Sequence, residues 1–205
     1  MIFQTDTQNN ISYVRFFNAA VEIGSIAIKV NDEIIVNNIL HGGFSQFNKA
    51  QSGAYKLEVL ITNESSSDEV VYTELLSLMP DIYYTIAITG NSENLGLFVF
   101  PLDAKNDGIR PYIRFVNLIQ HDNVIDIDID KARAVQGLMY KEVSDIISII
   151  DKSLVIDVYD SFSDKILSDI IEVEAGVGYI AFIAGDIYST KNPPKIYLAE
   201  DSPLL

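Results

Sequence analysis

Three aspartates at alternate positions, Asp126, Asp128 and Asp130, form the densest set of potential metal ligands in the chain. A strand that turned Ile125, Ile127 and Ile129 toward a core would present all three carboxylates on its other face, and hard oxygens suit Ca²⁺. An EF-hand loop starting at Asp126 would need glycine at its sixth position and glutamate at its twelfth, where Lys131 and Gly137 stand. That motif is absent. The expectation is a solvated strand face, no metal or other cofactor, and Asp126, Asp128 and Asp130 as the place where calcium would bind if it bound at all. Histidine chemistry is sparsely supplied, by His41 and His121 alone, and no serine has the glycine surroundings of a nucleophile elbow. No catalytic residues are expected and the protein is not expected to be an enzyme. Paired carboxylates for glycoside hydrolysis would want a cleft with stacking platforms, and the chain has no tryptophan.

The remaining chemistry-bearing residues recur at a fixed offset. Tyr13-Val14-Arg15-Phe16-Phe17-Asn18 returns 99 positions later as Tyr112-Ile113-Arg114-Phe115-Val116-Asn117. The same offset carries Ile26, Ile28 and Val30 onto Ile125, Ile127 and Ile129, and Leu57 and Val59 onto Ile156 and Val158. Arg15 and Arg114 sit inside apolar runs, so each is expected to pair with a carboxylate or carbonyls at a sandwich edge or to stack on neighbouring Phe16 or Phe115. Tyr84 and Tyr179 recur at the start of late apolar runs and are expected to act as tyrosine corners, with the hydroxyl bonded to nearby backbone. All four are structural expectations. The histidines and the acidic triad do not recur: His41 aligns with Tyr140, His121 with Glu22, and Asp126 and Asp128 with Ala27 and Lys29.

The elements that would hold these residues are strands. Tyr13 to Phe17, Ile26 to Val30, Tyr55 to Ile61, Val70 to Leu78, Tyr83 to Thr89 and Leu97 to Phe100 alternate or run apolar between turn residues, and a matching series follows in the second copy. Turns are expected at Asn31-Asp32, Ser52-Gly53, Gly90-Asn91 and Gly185-Asp186. The copies differ in length near residues 64–68 and 187–194, polar or proline-rich stretches that suit surface loops. The expected fold class is all-β: two tandem immunoglobulin-like antiparallel β-sandwich domains at residues 11–103 and 111–205. An arm at 1–10 precedes them, and a linker at 104–110 is short enough to keep the domains close.

Composition narrows the partners. The net charge of −15 divides into −8 up to Gly108 and −7 beyond it, so both copies repel phosphate backbones and anionic headgroups. Nucleic acid is not an expected partner, nor is membrane insertion, since no apolar run approaches the roughly 18 residues of a spanning helix. With no cysteine, disulfides and thiolate chemistry are excluded. The opening residues lack a basic region followed by an apolar one, so no Sec signal is expected in them. Tyr72, Tyr83, Tyr84 and Tyr188 are candidates for a glycan-binding surface, and Ile146-Ile147-Ser148-Ile149-Ile150 is either a covered strand or an edge for pairing with another chain.

The Tyr-x-Arg-Phe-x-Asn opening, the isoleucine strand ending in Asn31-Asp32, the Ser52-Gly53-Ala54-Tyr55-Lys56-Leu57-Glu58-Val59 strand and the strand from Tyr84 to Gly90 together resemble the domain of unknown function 4397 family, once per copy. The resemblance implies tandem bacterial immunoglobulin-like sandwiches, found on surface or exported proteins, and no known activity. The chain departs from that family where a His-Ala-Ser-Pro stretch would follow the first strand: Asn18-Ala19-Ala20-Val21 and Asn117-Leu118-Ile119-Gln120 stand there, and Asp151-Lys152-Ser153 replaces the glycine turn before Leu154. The function expected is that of a non-catalytic structural or adhesive protein of a bacterial envelope, surface or spore layer, acting through protein partners or self-association. A carbohydrate- or calcium-binding module is the alternative.

Overall fold

The structure is a computed structural model and describes residues 10–61, 69–102, 111–121 and 124–201. Among them the first copy forms β1 (Ile11–Asn18), β2 (Ile26–Val30), β3 (Glu33–Ile39), β4 (Asn48–Gln51), β5 (Gly53–Ile61), β6 (Glu69–Leu78), β7 (Tyr83–Thr89) and β8 (Gly96–Pro101). The second copy forms β9 (Tyr112–Gln120), β10 (Val124–Ile129), β11 (Ala132–Met139), β12 (Ile147–Ser148), β13 (Ser153–Tyr159), β14 (Lys165–Glu172), β15 (Gly178–Asp186) and β16 (Lys195–Glu200). The linker at 104–110 and nearly all of the arm at 1–10 lie outside the described residues.

Each copy folds as two four-stranded sheets, ordered β4-β1-β7-β8 with β3-β2-β5-β6, and β12-β9-β15-β16 with β11-β10-β13-β14. The chain is therefore all-β, with two β-sandwiches in tandem. Each sandwich has eight strands where the immunoglobulin constant type has seven, and β1 runs parallel to β7 as β9 does to β15. Strands β3, β4 and β11 escape the apolar pattern because an edge strand pairs on one side only and needs few buried side chains. Glu33–Ile39 buries Ile39 alone, and Asn48–Gln51 reads as polar.

Side-chain alternation decides how the layers stack. On β1, Val14 and Phe16 enter a core shared with Ile26, Ile28, Leu57 and Val59, while Phe17 points the opposite way. On β9, Ile113 and Phe115 face the corresponding second-copy core, and Val116 and Leu118 face outward. The two outward faces meet in a third core that includes Phe17, Ala87, Phe100, Val116, Ile180 and Phe182. The molecule is thus four sheets deep, with the β1 and β9 sheets in the middle. Strand β15 is buried along its whole length, which explains why it reads as an unbroken apolar run.

Two contacts across this middle layer involve equivalent positions of the copies. Lys141 Nζ donates to Leu97 O at 3.1 Å, and the Tyr197 ring lies against Gly42, the residue equivalent to Lys141. Gly42 has φ of 79°, and a Cβ there would collide with that ring. Phe17 packs on Phe182 with centroids 5.0 Å apart and on Tyr197 at 5.4 Å.

The turns also repeat. Asn31-Asp32 and Asp130-Lys131 both take left-handed conformations, with φ of 47° and 72°, and 50° and 70°. Asn31 Oδ1 accepts from Lys56 N at 3.0 Å, and Asp130 Oδ1 accepts from Val155 N at 3.0 Å.

Candidate functional site

Strand β10 presents its residues as alternation requires: Ile125 and Ile127 are fully buried, and Asp126 and Asp128 lie on the outer face. The neighbouring strand β11 then supplies Arg133, whose Nη1 donates to Asp126 and whose Nε donates to Asp128 Oδ1 at 2.5 Å. Gly137 N donates to the other Asp126 oxygen at 2.7 Å. The guanidinium thus stands where a cation would sit between two carboxylates. Asp130 belongs to the turn described above and takes the role that Asn31 has in the first copy. Among the described residues, no group of three histidine, aspartate or glutamate side chains is placed to hold a metal ion.

Arg15 and Arg114 both lie in the middle layer. Arg15 Nε donates to Thr85 Oγ1 at 2.8 Å, its Nη2 donates across the copies to Glu200 O at 2.9 Å, and its guanidinium lies over Phe47 at 4.9 Å and Phe44 at 5.3 Å. Burial lowers its pKa to about 10, against an upward pull from Asp201 and Glu200. Arg114 Nη2 donates to Asp201 Oδ1 at 2.5 Å and its guanidinium lies 4.8 Å from the Phe100 ring of the first copy. Asp201 is fully buried and also accepts from Tyr112 Oη at 2.8 Å. The rings that receive the arginines are not Phe16 and Phe115. Successive strand residues point to opposite faces, so a residue beside either arginine cannot share its side of the sheet.

Tyr84 Oη accepts from Met79 N at 3.2 Å, and Tyr179 Oη accepts from Glu174 N at 3.1 Å; each hydroxyl thus meets backbone upstream of its own strand. The repeated asparagines also close backbone gaps: Asn18 Nδ2 donates to Ile39 O at 2.9 Å and Asn117 Nδ2 to Leu138 O at 3.0 Å. His41 is packed against Tyr197, with Nδ1 2.8 Å from Ala20 O and Nε2 buried without a partner. His121 reaches Asp186 Oδ1 at 3.0 Å and lies beside the exposed Tyr188. The two histidines stand in different surroundings, each with a structural partner.

The tyrosines do not gather into one platform. Tyr83 stacks on Tyr13 at 4.5 Å, Tyr84 is in the core, and Tyr72 donates to Glu74 Oε2 at 2.5 Å, which pushes its pKa up to about 12. In the isoleucine run, Ile147 and Ser148 form edge strand β12, Ile149 is buried, and Ile150 is exposed.

Two repeated features on the outer sheets went unread in the sequence. Glu58 and Asp157, at equivalent positions on β5 and β13, are both buried acids on outer faces. Glu58 is held by Lys56 at 2.8 Å and Lys29 at 3.2 Å, and Asp157 by Ser168 at 2.6 Å and Lys165 at 3.2 Å. These partners hold both carboxyls below the usual carboxylate range. The signal was available: Leu57-Glu58-Val59 and Ile156-Asp157-Val158 place an acid between buried apolar residues in both copies. The other feature is Leu75 on β6 and Ile170 on β14. Length differences between the copies hide their equivalence, but Leu75 pairs with Lys56 and Ile170 with Val155, which share the 99-residue offset.

Fold and residues together define a duplicated β-sandwich protein whose repeated arginines, asparagines and tyrosines bond within the fold. Residues 12–109 match the family described as Domain of unknown function (DUF4397), which covers the first copy. The second copy is linked to the first by its equal strand order and its repeated residues. No curated protein matches the chain.

Proposed function

We propose that this is a non-catalytic structural protein of a bacterial envelope, surface or spore layer that works through protein–protein contacts, chiefly with further copies of itself. The observation that supports this reading is the pair Leu75 and Ile170, 78% and 62% exposed, on the edge strands β6 and β14 of the two outermost sheets. A sheet edge leaves backbone donors and acceptors unpaired, and a large apolar side chain beside it gives an incoming strand something to bury. Having one such edge at each end of the stack makes the molecule bivalent, which suits a layer. Glu69 and Glu74 on β6, and Asp169 and Glu172 on β14, would repel acidic neighbours, so salt should strengthen assembly by screening them.

Size-exclusion chromatography with light scattering tests this. The full chain is expected to form oligomers at high concentration, more so in high salt, and the Leu75→Lys, Ile170→Lys double variant is expected to remain monomeric. A monodisperse monomer of the unaltered chain under all these conditions would overturn the reading.

A further inference from the structure

The two copies differ in what fills the gap between their sheets. In the first copy a cavity of about 410 Å³ opens where edge strands β3 and β4 part, within the size range of small-molecule sites. Its floor is apolar: Val14, Phe16, Leu76 and Leu78. On β4, Asn48 pairs with Val14 and Ala50 with Ser12, so both turn the same way as the core residue Val14. The equivalent second-copy positions are Ile147 and Ile149. Ile147 pairs with Ile113, and both isoleucines pack into the second core. The second copy thus turns aliphatic side chains into its core where the first has Asn48 and Ala50, although Ile147 also lines a separate cavity beside β11.

The rim limits the kind of molecule that the first-copy cavity could take. Asn48, Gln51 and Tyr55 are uncharged, and Tyr55 Oη donates to Gln51 O at 2.6 Å. Lys49 also lines the cavity, but it pairs with Tyr13 and carries its Nζ to 6.0 Å from that ring, on the other face of the sheet. The first copy carries −8, which disfavours an anionic headgroup. The aliphatic side chains of the second copy and these uncharged rim residues point to one ligand class. We propose that the first-copy cavity binds the alkyl chain of a small uncharged amphiphile, with a hydroxyl or amide headgroup at the rim beside Asn48 and Gln51.

The test is a methyl-resolved NMR titration of the full chain with 1-octanol, and with octanoate as the charged match. Saturable shifts at Val14, Ile35, Leu76 and Leu78 are expected with octanol, and weaker binding with octanoate. Ala50→Ile, which introduces the second copy's residue, should weaken octanol binding about tenfold or more without lowering the melting temperature. Asn48→Ile serves the same purpose if Ala50→Ile fails to fold. Absence of saturable shifts at these methyls, or equal binding by the folded variant, would overturn the site. Equal affinity for octanoate would overturn the uncharged headgroup. Val14 and Ile35, which lie off β6, separate the titration from self-association through Leu75 and Ile170, both outside the cavity lining.

Discussion

Asp201 and Arg114 form a buried charge pair whose counterpart in the first copy is only half ionic. The position equivalent to Asp201 is Leu102, also buried, and Arg15 turns instead to a hydroxyl and a carbonyl. Removing one member of a buried pair strands the other without solvent, so Asp201→Asn should cost about 3 kcal/mol or more in urea unfolding. The double change Arg114→Met, Asp201→Leu removes both charges and should cost less than Asp201→Asn alone. His41 makes a pH prediction. Burial is the main cause that lowers its pKa below 6.5, and Lys195 adds to the effect while the Ala20 carbonyl opposes it. The unfolded chain therefore takes up the proton first as pH falls. Stability from this residue is full above about 6.5 and declines between there and the lower folded-state pKa. Relative to His41→Phe, the unaltered protein should lose more melting temperature between about pH 7.5 and about pH 5.5.

The turns that join the strands carry their own requirement. Gly90 and Gly185 have φ of 96° and 131°, and a Cβ at either would run into a carbonyl, of Asn94 or of Pro193. Gly90→Ala and Gly185→Ala should each cost about 1–3 kcal/mol by denaturant unfolding. Gly24→Ala, with open space around it, should stay within about 0.5 kcal/mol of the parent. These two glycines were visible as equivalents in the sequence although the loops around them differ in length. Strands buried on both faces were equally visible, because Tyr179 to Ala184 has no polar break. The edge strands β3, β4 and β11 were not, since pairing on one side buries few of their side chains and leaves no alternation to read.

The middle layer makes the copies one unit. Phe17, fully buried and in contact with Phe44, Phe182 and Tyr197, belongs to the core between the sandwiches and not to its own. Phe17→Ala should cost about 3–5 kcal/mol, as a large cavity in any core does. Because both sandwiches depend on this layer, calorimetry of the unaltered chain should show one cooperative transition, and Phe17→Ala should split or broaden it. Two separate transitions in the unaltered protein would mean that the copies fold independently.

The amino-acid sequence by itself determined the strand class, the duplication, the inward set of isoleucines and the equivalent turns, because these follow from residue type at short spacing. It also showed that Asp126 and Asp128 share a face, but not that Arg133 closes over them, since that contact depends on which strand lies alongside. Tertiary structure alone decided that the outward faces of β1 and β9 meet, which gives Arg15 and Arg114 their partners. It also decided that Asn48 and Ala50 line an open space, while Ile147 and Ile149 at the equivalent positions pack on their core. The physical reason is common to all three. Periodicity tells which side of a strand is apolar, while what covers that side is set by residues far away in the chain.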